Sequence, residues 1–251
     1  MKSFTRCLLM LSSLYIPIFS VNASEGHWTY NGEHGPDHWG ALGNSLCASG
    51  TQQSPINIEI NQVLLHKIIS SNLALHYGKT ALKLQNNGHT IQANVGEGEK
   101  INFQGTEYQL MQFHFHTPSE HQINHLSFPM EMHLVHQDQN GQLLVVGLMI
   151  KEGNKNIELA SLWSNLPRKD SEEITLSAEA APDLNKLIPL ESHHLYYKGS
   201  LTTPPCTEGV QWVLFEQPIE MSKSQIKKFR ELFSQNHRPA QPINEREVDE
   251  D

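Results

Sequence analysis

The segment Gln112–His116 alternates polar and aromatic residues, and it constrains the fold more than any other part of the sequence. In an extended strand, side chains two residues apart project from the same face of the sheet. Gln112, His114 and His116 therefore share one face, and the two phenylalanines between them lie on the other. The sequence predicts a strand that carries two imidazoles side by side.

A second alternating run, Glu131–Val135, presents His133 in the same way. If the two strands are neighbours, the imidazole of His133 meets those of His114 and His116. Three neutral imidazoles with a fourth position open to water are typical of a catalytic zinc site, whereas a structural zinc site is usually closed by a fourth protein ligand. A single histidine of this kind is more often an ordinary sheet residue, so the metal prediction depends on all three.

Short alternating runs occupy the sequence between Leu73 and Ile150 and predict a mainly β protein with a predominantly antiparallel sheet. Turn residues separate these runs, as at Asn86-Asn87-Gly88 and Asn140-Gly141. The last run is continuously apolar, which is typical of a central buried strand. The predicted strands are Leu82–Gln85, Thr90–Val95, Ile101–Phe103, Tyr108–His116, Glu131–His136 and Leu143–Ile150.

Two helices are predicted in the second half of the chain. Asn156–Leu166 ends before a proline, and Met221–Ser234 begins with Ser222 and Gln225 at the spacing of a capping box. Both helices place apolar residues where a core would need them. We therefore expect them to be structural.

The N-terminal part of the chain, Glu25–Ser54, has little periodicity and is predicted to be irregular. Its packing is expected to come from three aromatic residues, Trp28, Tyr30 and Trp39. It also contains three loosely spaced histidines, His27, His34 and His38. Such spacing is more typical of solvent-exposed loop residues than of a second metal site.

The first residues of the chain have the pattern of an export signal. Two basic residues lie within the first six, the apolar run Cys7–Val21 follows, and Val21-Asn22-Ala23 offers small residues for cleavage. The apolar run is too short for a membrane anchor. A signal peptide over 1–23 and one mature domain over 24–251 are predicted, periplasmic in a Gram-negative host and otherwise secreted. A buried N-terminal helix is the alternative.

The charge of the chain argues against some partners. Cleavage after residue 23 removes two basic residues and no acidic ones, so the formal net charge changes from −9 to −11. An acidic surface disfavours binding to nucleic acid and to anionic membranes. We therefore expect neither of these partners.

The mature chain would keep two cysteines, Cys47 and Cys206, because Cys7 leaves with the signal peptide. An even pair in a chain bound for an oxidising compartment predicts a disulfide between them. Because Cys206 lies four residues after Thr202, this bond would fix the loop around that threonine. Two unrelated buried thiols are the alternative.

Several motifs occur in the order found in one enzyme family, and the chain resembles an exported, bacterial-type α-class carbonic anhydrase. The resemblance implies a single domain built on a large twisted, predominantly antiparallel central sheet, with a few short surface helices and zinc at the base of a conical cavity. The motifs are Gln53–Ile58, Asn87–Thr90, Gln112–His116, Ser119–His121, Glu131–His136, Gly199–Cys206, Gln211–Trp212 and Arg238–Pro242.

By this resemblance His114, His116 and His133 are the ligands of Zn²⁺, in agreement with the alternation argued above. Gln112 and Glu131 match residues that accept a hydrogen bond from the second ring nitrogen of a ligand. Such a bond fixes the tautomer of the imidazole and raises its basicity. Considered alone, each of the two is an ordinary polar strand residue.

The resemblance also implies the reaction, which is reversible hydration of carbon dioxide to bicarbonate and a proton by a lyase that uses zinc hydroxide. Thr202 and Glu120 match the pair that orients the attacking oxygen, and His89 matches the proton shuttle. Without the resemblance, Glu120 is a buried acid, Thr202 a turn residue and His89 a hairpin residue without a role.

Carbon dioxide is small and apolar, so its pocket should be apolar and tight. The resemblance places Thr203 on the polar side of that pocket, and Thr117 stands where many animal members have tryptophan. Carbon dioxide and bicarbonate are the expected small-molecule partners, and a homodimer is one assembly that the sequence leaves open. The apolar residues implied for the pocket are Val135, Val145, Leu201, Val210 and Trp212.

Two other classes of protein share part of this pattern. His114, His116 and Glu120 fit half of the cupin metal motif, in which the glutamate would bind iron or manganese. The expected second half of that motif is missing, and His133 comes too early for it. A secreted zinc-binding module without turnover is the second rival, and it is disfavoured because Thr202 and His89 accompany the three histidines.

Overall fold

The computed structural model describes residues 27–63 and 73–251. Within these residues, an eleven-stranded sheet forms the centre of the molecule, and a separate three-stranded sheet packs against it through Ile58 and Ile123. The predicted signal peptide, 1–23, lies outside the described residues. None of the described helices is long and apolar enough to cross a membrane.

The described strands are numbered in chain order. They are β1 (Asn57–Ile58), β2 (Ala74–His76), β3 (Leu82–Asn86), β4 (Ile91–Val95), β5 (Lys100–Phe103), β6 (Thr106–His116), β7 (Gln122–Ile123), β8 (Leu126–Ser127), β9 (Met130–Gln137), β10 (Leu143–Glu152), β11 (Glu173–Leu176), β12 (His194–Ser200), β13 (Glu208–Met221) and β14 (Asp249–Glu250). The described α-helices are α1 (Leu46–Ser49), α2 (Ala160–Ser164), α3 (Leu184–Leu187) and α4 (Lys223–Arg230). Short 3-10 turns occupy Gly32–His34, Pro36–His38 and Ile60–Gln62.

The strands of the large sheet run in the order β11-β3-β4-β6-β9-β10-β13-β12-β14, with β5 on β6 and β2 on β5. All six predicted strands are confirmed, and no end differs from its predicted position by more than two residues. The strand β6 pairs antiparallel with β9, and the register sets His114 opposite His133. This pairing brings together the two runs that carry the histidines.

The pair of β10 with β13 is parallel, and the other described pairs of the large sheet are antiparallel. This confirms a predominantly antiparallel sheet. Parallel neighbours need a long connection, and the segment between β10 and β13 includes α2, α3 and two strands. β10 is buried along most of its length, as its near-continuous apolar sequence suggests, whereas β13 is fully buried only over Trp212–Phe215 and at a few other positions.

The two predicted helices are shorter in the structure. In the first, Asn156 bonds to Leu159 N through its side-chain oxygen and donates to Glu220 O, so the chain becomes helical only at Ala160. In the second, Met221 is the last residue of β13, and Ser222 is the N-cap of α4 in a complete capping box. The capping pattern therefore located the start of α4 better than the apolar periodicity did.

The large sheet has a core on each face. Phe113 and Phe115, both fully buried, belong to the larger core with Trp163 and Phe229. A smaller core, which we call the second core, lies on the other face and includes Val145, Val210 and Trp212. Because side chains alternate along β6, its histidines lie on the face opposite to the two phenylalanines.

The N-terminal segment is irregular, as predicted, and it is attached to the rest of the molecule by a disulfide. Cys47 in α1 is bonded to Cys206 across 159 positions of sequence. Trp39 is fully buried beside this bond and packs against Trp28 and Tyr30. The predicted pairing and the predicted aromatic packing are both confirmed.

Candidate metal centre

Three histidines from β6 and β9 meet at one point on the sheet. The ring centroids of His114 and His116 are 5.0 Å apart, and that of His133 lies 5.3 Å and 4.6 Å from them. One nitrogen of each ring lies within 4.8 Å of the others. His116 and His133 are each 1 % exposed, so the group is enclosed by protein on most sides.

The second nitrogen of each ring is held by an oxygen acceptor. His114 donates from Nδ1 to Gln112 Oε1 at 2.7 Å, and His133 donates from Nε2 to Glu131 Oε1 at 2.7 Å. His116 donates from Nδ1 to the carbonyl oxygen of Asn236 at 2.6 Å. These bonds leave an unprotonated nitrogen on each ring, which is Nε2 in His114 and His116 and Nδ1 in His133.

The three free nitrogens fit a metal ion. Nε2 of His116 is buried and has no hydrogen-bonding partner among the described residues. Burial lowers the pKa of the His116 imidazole to about 4. Burial, followed by the neighbouring imidazoles, also holds the pKa of His114 well below its usual value. Neutral imidazoles with converging lone pairs are ligands for a divalent transition metal.

Glu131 is the buried carboxylate beneath this group. Its Oε2 accepts from the backbone N–H groups of Glu120 and His121, and its Oε1 accepts from the rings of His121 and His133. Burial alone would raise the pKa of Glu131, but attraction and hydrogen bonds from the two histidines outweigh burial and hold the pKa well below its usual value. Glu131 is therefore charged and holds His133 in one orientation.

A chain of hydrogen bonds continues from Glu131 away from the metal centre. His121 bonds Glu131 through Nδ1 at 2.7 Å and the hydroxyl of Tyr197 through Nε2 at 2.6 Å. Tyr197 then bonds Ser54 Oγ at 2.8 Å. Although His121, Glu131 and His133 are close enough to share a metal, both nitrogens of His121 are used in these bonds. This second cluster is therefore a hydrogen-bonded network.

Glu120 lies next to the three histidines. Its Oε2 is 3.5 Å from Nε2 of His116, and its Oε1 accepts from the backbone N–H of Arg238 at 2.8 Å. Burial raises the pKa of the Glu120 carboxyl to about 7, against the opposing effects of His133 and of the Thr202 hydroxyl. Thr202 is 5 % exposed. The structure thus brings together the predicted pair, Glu120 and Thr202.

His89 lies in the turn between β3 and β4, and its ring stacks on the indole of Trp28 with centroids 3.7 Å apart and planes 7° apart. Burial lowers the pKa of His89 below its usual value, His27 lowers it further, and Asp170 partly opposes them. The turn is tied to the ligand strand because Thr90 Oγ1 donates to Phe115 O at 2.6 Å. His89 is half-buried and therefore stays in reach of solvent.

The predicted apolar pocket residues belong to the second core or pack against it. Val145 lies opposite Val135 on β9 and opposite Trp212 on β13. The ring of Trp212 is 4.9 Å from that of His133, so this apolar group borders the metal centre. Thr203 lies in the loop after Thr202, where its carbonyl accepts from the backbone N–H of Cys206.

The loop that carries Thr202 is anchored at Cys206. Gln53 Nε2 donates to Cys206 O at 3.0 Å, and the guanidinium of Arg238 donates to Gln53 Oε1 and to Cys47 O. Arg238 is 1 % exposed and lies 5.8 Å from the ring centroid of Trp39. The disulfide and this buried arginine together hold the loop against the N-terminal segment.

Sequence reasoning did not single out three residues that complete the site, namely Asn236, His121 and Tyr197. Asn236 holds His116 through a backbone carbonyl, and a carbonyl acceptor carries no sequence signal. The sequence marks His121 only as the last residue of the motif Ser119–His121. Tyr197 contacts His121 across 76 positions, a distance that local periodicity does not reach.

The sequence of the chain matches one protein family over most of its length. Residues 34–251 match the family model described as eukaryotic-type carbonic anhydrase. The chain is 40% identical over 246 residues to a carbonic anhydrase of Klebsiella pneumoniae, covering 96% of each chain. It is 39% identical over 231 residues to a carbonic anhydrase of Nostoc sp., covering 91% of this chain and 87% of that protein.

A solved structure agrees with these sequence matches. The α-carbonic anhydrase of Thermovibrio ammonificans, in complex with the inhibitor sulfanilamide, superposes with a TM-score of 0.84 and 40% sequence identity. The alignment covers 89% of this chain and 98% of that chain. Sequence and fold therefore point to the same family.

Proposed function

The chain belongs to the eukaryotic-type, or α-class, carbonic anhydrase family, and from this premise we propose that it catalyses zinc-dependent hydration of carbon dioxide. Membership in the family makes it an enzyme of carbon dioxide hydration. One observation supports the zinc centre most directly: the free nitrogens of His114, His116 and His133 converge while their second nitrogens are held by acceptors. We assign these three residues as the zinc ligands.

Zinc in a three-histidine site supplies Lewis acidity that makes hydroxide available from water at neutral pH, as is general for carbonic anhydrases. Glu131 and Gln112 keep two of the rings in the tautomer that points a lone pair toward the metal. Glu131 is held in the charged form and accepts a hydrogen bond from the His133 N–H. This bond raises the basicity of the other ring nitrogen, which would donate its lone pair to the metal.

Thr202 and Glu120 would orient the attacking oxygen. A nearby divalent cation favours the ionised form of Glu120, whose pKa burial raises to about 7 in the metal-free protein. The ionised carboxylate accepts the single proton of the Thr202 hydroxyl, so the threonine oxygen can only accept a further hydrogen bond. Thr202 would then accept a hydrogen bond from the attacking oxygen and leave a lone pair of that oxygen facing carbon dioxide.

The substrate is assigned to the apolar side of the centre. An apolar wall next to His133 is formed by Val135, Val145, Val210 and Trp212, with Leu201 beside them, and the indole N–H of Trp212 already donates to Ser200 O. Such a wall suits carbon dioxide better than bicarbonate, because bicarbonate loses hydration there. Thr203 would line the polar side and assist release of the product.

His89 would carry the product proton to solvent. A group of pKa near 7 releases protons directly to water at only about 10³ s⁻¹, because recapture occurs at about 10¹⁰ M⁻¹s⁻¹. Faster turnover needs a local group of similar pKa, and an imidazole meets this need.

We also propose that the enzyme is exported, because a basic and apolar N-terminus accompanies the Cys47–Cys206 disulfide.

The proposal is tested by stopped-flow hydration of carbon dioxide, followed with a pH indicator, on wild type, His116→Ala and His125→Ala. Chelator-stripped wild type should lose the activity and recover it when zinc is added. His116→Ala should remain near the blank, whereas His125→Ala should behave as wild type because that side chain is 75% exposed and away from the centre. Stoichiometric zinc binding without a rate above the blank would move the function to a binding module.

A further inference from the structure

Asn236 is a buried residue that bonds three separate parts of the site. It is 1 % exposed and follows α4 in sequence. Its backbone N–H donates to Thr117 O at 3.1 Å, and its backbone carbonyl accepts from Nδ1 of His116 at 2.6 Å. Its side-chain Oδ1 accepts from Thr117 N at 2.7 Å. The residue is therefore fixed against the end of the ligand strand.

The side-chain amide of Asn236 reaches the turn that carries the predicted proton relay. Nδ2 donates to His89 O at 3.0 Å and to Phe115 O at 2.9 Å. Both amide protons and the amide oxygen are thus used. One side chain links the residue before His116, the residue after it and the backbone of His89.

Loss of this amide would leave buried polar groups without partners. Thr117 N–H and His89 O would each lose the bond recorded from Asn236, and buried groups in that state either move toward water or carry a desolvation penalty. Movement of residue 236 shifts the acceptor of the His116 ring, and movement of residue 89 shifts the relay. One substitution at residue 236 would therefore disturb both the orientation of the His116 ring and the position of His89.

We infer that Asn236 is a positioning residue that fixes the His116 ring and the His89 turn relative to each other. The part that concerns His89 rests on the proposed function. The part that concerns His116 rests only on the ability of the site to hold a metal.

The first test measures zinc release from the zinc-loaded protein into excess chromophoric chelator, for wild type, Asn236→Ala and Gln225→Ala. Gln225 is a matched control because it is a buried amide, 7 % exposed, that bonds Asn156 through both its nitrogen and its oxygen. Loss of a group that orients a metal ligand typically weakens binding by about 10–100-fold. We expect release from Asn236→Ala to be about tenfold faster or more, and release from Gln225→Ala to match wild type.

The second test measures kcat and kcat/KM for carbon dioxide hydration in weak buffer. Proton export follows bicarbonate formation, so a displaced relay lowers kcat more than kcat/KM. Asn236→Ala should therefore show a larger fall in kcat than in kcat/KM, and added imidazole should restore kcat. Gln225→Ala should keep the wild-type ratio of the two constants.

Asn236→Asp keeps the proposal testable if Asn236→Ala does not fold. The aspartate has the same shape and still accepts from Thr117 N, but it cannot donate to His89 O or to Phe115 O. It should show the kcat defect and its rescue by imidazole. The proposal is overturned if the variants that fold release zinc at the rate of Gln225→Ala and keep the wild-type kinetic ratio. An inactive zinc-loaded wild type would instead refute the proposed function, while zinc release would still decide the role toward His116.

Discussion

At the scale of single residues, the metal centre depends on groups that set which nitrogen of each histidine is free. Gln112 and Glu131 lie on the same strands as the histidines that they hold, two positions away, and alternation puts them on the same face. Alternation therefore predicted the shared face, whereas the role of each residue as a hydrogen-bond acceptor was implied by the resemblance to α-class carbonic anhydrases. The acceptor of His116 comes instead from a distant part of the chain, at Asn236.

Gln112→Leu removes the acceptor for Nδ1 of His114 and leaves the ring free to rotate or change tautomer. We expect zinc affinity to fall by about 10–100-fold. Gln109→Leu is the matched control, because Gln109 lies on the same strand but bonds Gly96 O and Leu110 O. Chelator competition on both variants measures the effect, and equal zinc affinities would contradict the role given to Gln112.

His89→Ala removes the predicted relay without touching a metal ligand. In weak buffer we expect kcat to fall about tenfold or more, kcat/KM to change little, and added imidazole to restore kcat. His76→Ala, an exposed histidine on β2, serves as the control. If the dependence of kcat on buffer concentration is the same in wild type and His89→Ala, another group carries the proton.

At the scale of elements, the pattern within a segment predicted the type and position of that element. It did not predict which distant element the segment would contact. The alternation in Tyr108–His116 and Glu131–His136 predicted the strands and the shared face of the histidines, and the observed strands extend these bounds by one or two residues. Ser222 and Gln225 gave the start of α4. The parallel pairing of β10 with β13 was not predicted, because a continuous apolar run reveals burial but no partner.

The disulfide joins two such distant elements, and its removal tests how much it contributes. A bond across 159 positions should stabilise the fold by about 4–5 kcal/mol in chain-entropy estimates. Cys47→Ala/Cys206→Ala should therefore lower the free energy of unfolding by about that amount. We expect kcat/KM of the folded variant to change less, because Gln53 and Arg238 still hold the loop. Urea unfolding decides this, and an unchanged midpoint would contradict the prediction.

At the scale of the whole molecule, the free energy of unfolding should fall at acidic pH because of a buried pair outside the metal centre, His136 and Tyr77. His136 is fully buried in β9, where Nδ1 donates to Leu144 O and Nε2 accepts from the hydroxyl of Tyr77 at 2.6 Å. Burial lowers the pKa of His136 from 6.5 to about 3. The folded protein therefore keeps this imidazole neutral, while the unfolded chain protonates it below pH 6.5.

The sign of the effect follows from this difference in pKa. The unfolded state binds the proton first, so the stabilising contribution of neutral His136 is complete above about pH 6.5 and is lost as the pH falls toward 3. The loss is about 1.4 kcal/mol per pH unit, which gives about 2–3 kcal/mol between pH 6.5 and pH 4.5. The metal ligands add their own acid dependence, so the contribution of His136 must be measured as a difference between variants.

Tyr77→Phe/His136→Leu removes the titrating imidazole together with the hydroxyl that bonds it, so no buried donor of this pair is left unpaired. In the metal-free protein, the fall in unfolding free energy from pH 7 to pH 4.5 should shrink by about 2–3 kcal/mol relative to wild type. Tyr77→Phe alone keeps His136 and should retain the wild-type acid dependence. Urea unfolding at both pH values measures this. If the double variant loses as much stability as wild type on acidification, the acid sensitivity arises from the metal ligands and not from this pair.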